Sequence, residues 1–187
     1  MTRVDRTHRK QLIREAEGYL ELMTALEGFL TLDREQREKL ADRVIDTLSE
    51  IESPQGFKPY ILYLKGQACR SAERYEQAVD LLEQSARLDP ENIHTHLGLA
   101  WCYKRTHDLP HAIESMQLAV QVDNESAISH YNLACYLSLG GRLTESVRHL
   151  SIAIELDSSF RDKVLGEHDF DAIRHTPEFL AALTVNV

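Results

Sequence analysis

Residues 59–160 repeat at a period of 34 with no gap. Placing PYILYLKGQACRSAERYEQAVDLLEQSARLDPEN (59–92) above IHTHLGLAWCYKRTHDLPHAIESMQLAVQVDNES (93–126) and AISHYNLACYLSLGGRLTESVRHLSIAIELDSSF (127–160) aligns small residues in three rows. The eighth places hold Gly66, Ala100 and Ala134, the twentieth Ala78, Ala112 and Ser146, and the twenty-seventh Ser85, Ala119 and Ala153. Bulkier apolar residues fill other rows: Tyr75, Leu109 and Leu143; Leu82, Met116 and Leu150; Leu88, Val122 and Leu156. Asp89, Asp123 and Asp157 follow the last of these. Within each copy the apolar positions keep helical spacing in two blocks, separated by a short polar turn, SAER, THD or GGR. Each copy therefore reads as helix, tight turn, helix. A lone hairpin of this kind cannot bury its apolar face, so successive copies must stack. The small rows let paired helices approach closely, and the large rows fill the space between hairpins.

The period, the small rows and the LDP ending at Leu88, Asp89 and Pro90 resemble the tetratricopeptide repeat (TPR) family. The resemblance implies an all-α, right-handed α-solenoid of helix-turn-helix repeats with flanking capping helices. Three tandem units are expected at 59–92, 93–126 and 127–160. The bulky aromatic common near the start of a TPR is replaced here by Leu62, His96 and His130, and the closing proline by Asn124 and Ser158 in the later units.

Both flanks read as caps, which a short stack needs at its apolar ends. Residues 1–57 are expected to form a helical hairpin, a degenerate TPR-like cap. Its first helix carries Leu12, Ala16, Leu20, Met23 and Leu30 on a stripe. Its second opens at Asp33 with Gln36 three residues on, a capping-box pattern, and presents Leu40, Val44, Leu48 and Ile51. SPQGFKP (53–59) then breaks the chain. Residues 161–187 are expected to be a C-terminal capping helix and tail, with Thr176 as N-cap, Pro177 at the first helical position, Phe179, Leu180 and Leu183 as its apolar set, and a loose TVNV end.

In the family the first helices of successive units line a concave groove that takes a peptide or a partner helix. Helical spacing puts the second, fifth, ninth and twelfth residues of a unit on one face, with the sixth at its edge. The expected peptide-binding residues are thus Tyr60, Tyr63, Gln67 and Arg70; His94, Leu97, Trp101 and Lys104; and Tyr131, Asn132 and Cys135. Aromatics beside cations are the residue types that dominate interface energies. Asn132 offers both an amide donor and an acceptor to a ligand backbone. A TPR subclass that grips the acidic tails of heat-shock chaperones uses basic residues and asparagines at set places. Here those places hold Tyr63, Gln67, Gly98, Ile128 and Asn132, so that mode is not expected.

The formal charge of −9, with acids and bases interleaved, argues against nucleic acid, which needs clustered Lys and Arg. No stretch approaches the ~20 apolar residues of a membrane span, and MTRVDRTHRK has no signal-peptide pattern, so a cytoplasmic protein without a membrane partner is expected. Cys69, Cys102 and Cys135 are spaced 33 apart, one short of the period, and do not converge; Cys69 and Cys102 read as core fillers and Cys135 as a groove residue. His94 and His96 point to different faces, and His96 and His130 share a row without a nearby acid or thiolate, so no metal and no cofactor is expected. No phosphate loop, GxSxG elbow or HExxH pair is present, and no enzyme is expected. The expected function is a non-catalytic adaptor or scaffold that binds a peptide or helix of another protein, of acidic or aromatic character. Structural self-association into a homo-oligomer is the alternative.

Overall fold

The computed structural model describes residues 3–25, 32–51 and 56–184. Among them are ten α-helices and one 3-10 turn: α1 (Arg3–Ala25), α2 (Arg34–Ser49), α3 (Lys58–Ser71), α4 (Tyr75–Leu88), α5 (Ile93–Arg105), α6 (Leu109–Val122), α7 (Ala127–Leu139), α8 (Leu143–Leu156), α9 (Phe160–Leu165), the turn His168–Phe170, and α10 (Pro177–Leu183). None of these helices is long and apolar enough to cross a membrane. The chain divides into two compact units inside α5, between Cys102 and Tyr103.

In the N-terminal unit α1 pairs with α2, α2 and α1 both pack on α3, and α3 pairs with α4. The cap hairpin therefore enters the stack as a neighbour of α3. Leu12, Ala16 and Met23 of α1, Ala41, Val44 and Leu48 of α2, and Ile61, Leu64 and Ala68 of α3 form one core, with Leu20 and Leu40 half-buried at its edges. Asp33 opens α2 in a reciprocal capping box: its carboxylate accepts from Gln36 N at 2.8 Å, and the Gln36 side chain accepts from Asp33 N at 3.0 Å. Leu30 and the start of the SPQGFKP break lie outside the described residues.

The small rows act as contact points. A Cβ placed on Gly66 would lie 2.7 Å from Leu82 Cδ2 and Cγ, so only glycine lets α4 bring the fully buried Leu82 this close to α3. Where the row carries serine, the hydroxyl is satisfied across the hairpin: Ser85 donates to Pro59 O at 2.8 Å and Ser146 to Ala134 O at 2.7 Å.

The three turns share one geometry. Glu73, His107 and Gly141, spaced by the repeat, all take φ between 60° and 70°. The next N–H in each case reaches back five residues: Arg74 to Cys69 O, Asp108 to Tyr103 O, and Arg142 to Leu137 O. This is the Schellman arrangement that ends a helix on a left-handed residue. Only the third turn supplies the glycine that adopts it without steric cost, at about 1 kcal/mol for the other two.

In the C-terminal unit α6 packs on α7, α7 pairs with α8, and α10 docks on α8. Thr176 caps α10, accepting from Phe179 N at 3.3 Å, with Pro177 at the first helical turn. The intervening segment does something the sequence pattern did not indicate: the turn at His168–Phe170 packs on α7. Arg174 fixes this irregular stretch by donating to the carbonyls of Val164, Leu165 and Glu167 and to the Asp171 carboxylate. The last three residues of TVNV lie outside the described residues.

Candidate functional site

The face named by helical spacing has two different fates. On α7 it is covered. Tyr131 is 6% and Cys135 2% exposed, and between Ser129 and Ser138 only Asn132 keeps partial exposure. Phe160 tilts over Tyr131 at 4.7 Å between ring centroids, Phe170 meets Tyr131 edge-on at 5.9 Å, and Phe179 in turn tilts against Phe170 at 5.4 Å. Tyr131 and Cys135, expected on an open groove, are thus core residues here. Their face is taken by the chain's own residues 160–170, whose two phenylalanines are buried against it. Lys104 is engaged by the same segment: its ammonium donates to the Asp169 carboxylate and lies 5.3 Å over the Tyr136 ring.

Cys135, Glu167 and Asp169 bring one sulfur and two carboxylates within 4.8 Å of one another. Burial, followed by the charges of Glu167 and Asp169, holds the Cys135 thiol well above its usual range. A thiol kept protonated is a poor nucleophile and a poor ligand. The cation bound to the Asp169 carboxylate is Lys104.

On the N-terminal unit the same face is open. Tyr60 and His94 are exposed; Tyr63, Gln67, Arg70 and Leu97 are half-buried; Trp101 is 46% exposed. Tyr60 stacks on Tyr63 at 6.1 Å and donates its hydroxyl to Glu17 of α1 at 2.6 Å, so its polar end is engaged within the protein. Gly98 makes room for Gln67: a Cβ there would lie 3.0 Å from Gln67 Nε2 and 3.2 Å from Leu82 Cδ1. The missing side chain therefore lets α3 present its polar side directly against α5. The guanidinium of Arg70, one turn beyond Gln67, makes no hydrogen bond or ion pair among the described residues. Its charge is felt by Tyr63 and by Cys102, whose thiol burial pushes up to about 12.

One polar arrangement escaped the sequence reading. His130 and His149 face each other across α7 and α8, Nδ1 to Nδ1 at 2.9 Å, both buried. Their meeting follows from the repeat. Ala134 and Ser146 oppose each other in an antiparallel hairpin, so a step of one turn back along α7 and one turn forward along α8 leads to residues 130 and 149.

Residues 70–140 match the family model described as tetratricopeptide repeat. A search of curated protein sequences gives no match. Among solved structures, the chain is similar to YrrB, described as a TPR protein with an unusual peptide-binding site, at 18% identity over 94% of this chain and 87% of that one, TM-score 0.62. It is similar to MamA from Desulfovibrio magneticus RS-1 at 15% identity over 90% and 93%, TM-score 0.59. It is also similar to the first TPR of Spaghetti (RPAP3), solved bound to the HSP90 peptide SRMEEVD, at 20% identity over 68% and 94%, TM-score 0.54. At these identities the likeness is one of fold.

Proposed function

We propose that this chain, which matches the tetratricopeptide repeat over residues 70–140 and shares the fold of TPR proteins, is a non-catalytic adaptor holding a peptide or helical segment of another protein against the face of α3 and α5. The carrying observation is the pairing on that face of an exposed tryptophan, Trp101, with a cation that has no partner among the described residues, Arg70. An exposed indole and an unpaired guanidinium on one face offer apolar area and a directional charge together, the combination that concentrates binding energy in interfaces. One of the similar folds is described bound to a peptide and another as having a peptide-binding site, which supports the same reading. The elevated thiols of Cys102 and Cys135 support a role without nucleophilic chemistry.

The test is selection of displayed random peptides on the full chain, followed by calorimetric titration of the winners. Trp101→Ala, at an exposed site and so expected to leave the fold intact by circular dichroism, should weaken them by about 2 kcal/mol, roughly thirtyfold. Unchanged affinity would remove this face from the function.

Self-association is the second reading, favoured by Leu165 and Leu180, which leave 70% and 51% of their surface exposed near the C-terminus. It requires a sedimentation mass that rises with concentration and reverts in Leu165→Glu. A constant monomer mass would reject it.

A further inference from the structure

The twelfth residue of each of the first two repeat copies is a cation, Arg70 and then Lys104. In the C-terminal unit the use of that cation is visible. Lys104 binds the carboxylate of Asp169, and the next residue, Phe170, buries its ring against Tyr131. Tyr131 and Cys135 are the fifth and ninth residues of the third copy, and Asp169 reaches within 4.8 Å of the Cys135 sulfur. An acid followed by an aromatic, both from the chain itself, thus lies on the first helix of one copy with its carboxylate held by the cation of the copy before.

Shifted back by one period of 34, Lys104, Tyr131 and Cys135 become Arg70, Leu97 and Trp101. These three belong to the N-terminal unit, and their state differs in the respect that matters for a ligand. Arg70 has no partner among the described residues, Leu97 is half-buried and Trp101 is exposed. The apolar bulk is redistributed, from a large residue followed by a small one to a medium one followed by a large one, while the cation stays. A guanidinium donates two parallel hydrogen bonds to a carboxylate, so the substitution of arginine for lysine strengthens the recognition of an acid.

We propose that the α3 and α5 face recognises an extended peptide bearing an adjacent acid and aromatic, with the carboxylate on Arg70 and the ring against Leu97 and Trp101. Residues 167–170 serve as the internal template for that peptide. This rests on the peptide-binding reading above and names the chemistry of the peptide. Charge complementarity selects the occupant: the chain carries a net charge of −9, so an acidic peptide is attracted only where a cation stands uncompensated.

The experiment uses the full chain and a fluorescein-labelled peptide GEHDFDA, the protein's own residues 166–172, read by fluorescence polarisation. Saturable binding is expected. Asp169→Ala or Phe170→Ala in the peptide, and Arg70→Glu in the protein, should each weaken it ~10-fold or more. Arg70→Lys, which reproduces the residue of the second copy, should retain most of it. Arg70→Glu combined with Asp169→Lys in the peptide should recover binding, a result that mere loss of fold cannot give. Sensitivity to Lys104→Glu in place of Arg70→Glu would mean that the peptide had displaced the chain's own segment, and would overturn the proposal. If GEHDFDA fails while selected peptides without an acid–aromatic pair bind in a Trp101-dependent manner, the motif is wrong and the peptide-binding reading stands. If no peptide of either kind binds, both are lost.

Discussion

Acidifying the solution from pH 7 to pH 5 should loosen the α7–α8 hairpin, because the bond between His130 and His149 has room for only one proton. The Asn124 carbonyl can only accept, so His130 Nε2, 3.1 Å away, carries that ring's proton and leaves Nδ1 as an acceptor. Arg148 can only donate, at 3.2 Å to His149 Nε2, so His149 carries its proton on Nδ1 and points it at His130. Both rings are neutral in this chain of bonds. A second proton on His149 would face the Arg148 guanidinium, and one on His130 would face the N–H of His149. Burial first, then the Arg148 charge, push His149 from 6.5 down to about 4, and burial lowers His130 as well. Of the other charges acting on the pair, Arg142 opposes protonation, while Glu145 and Asp123 favour it without outweighing the burial.

The sign follows from proton counting. Between pH 6.5 and about 4 the unfolded chain binds a proton at His149 that the folded chain refuses, so stability is complete above 6.5 and falls as the pH drops through that window. Every tenfold difference in proton affinity between the two states is worth about 1.4 kcal/mol, so His149 alone removes about 2 kcal/mol by pH 5. Urea melts followed by circular dichroism at pH 7, 6 and 5 measure it. His149→Gln keeps an amide donor toward His130 and cannot titrate, so its stability should vary less with pH than the wild type by that amount. Parallel pH dependence in the two proteins would refute the reasoning, as would long-range nitrogen NMR showing the proton of His130 on Nδ1.

The covering segment and the small row give two further expectations. Phe170→Ala removes a fully buried ring packed on Tyr131 and Phe179 and should cost about 3–5 kcal/mol. A loss under about 1 kcal/mol in thermal melts would show that this ring does not hold the segment on α7. Gly66→Ala sets a helix-propensity gain of about 1 kcal/mol against a Cβ only 2.7 Å from Leu82, and overpacking in a close-fitted core costs about 1–3 kcal/mol. The expected outcome is a net loss of about 1 kcal/mol, and a rise in stability would show that Leu82 can retreat.

The helices were legible because the repeat states each of them three times, and a face that must stay apolar in every copy cannot hide its period. The caps were legible for a different reason: Asp33 with Gln36, and Thr176 with Pro177, are local chemistry that needs no knowledge of what lies far along the chain. Residues 160–170 met neither condition. They form a six-residue helix and a three-residue turn, too short to carry a period, held by Arg174 through backbone carbonyls that no side-chain pattern advertises.

That gap explains why the candidate site was readable as a face and unreadable as a surface. Spacing alone puts Lys104 and Arg70 in one row and gives them equal standing. What separates them is an acid 65 residues beyond Lys104, brought back by a segment with no periodic signature. In the third copy the row ends in Ser138, whose buried hydroxyl has no hydrogen-bond partner among the described residues. A cation there would have to be buried with the rest of that face, at a large desolvation cost. The row is cationic in the two copies that precede a first helix and neutral in the one that does not, as expected if each cation serves a segment lying on the helix that follows. Lys104 has its segment within the chain. On the proposal above, the Arg70 guanidinium, in the same row and unpaired among the described residues, is where a segment from another protein has charge left to meet.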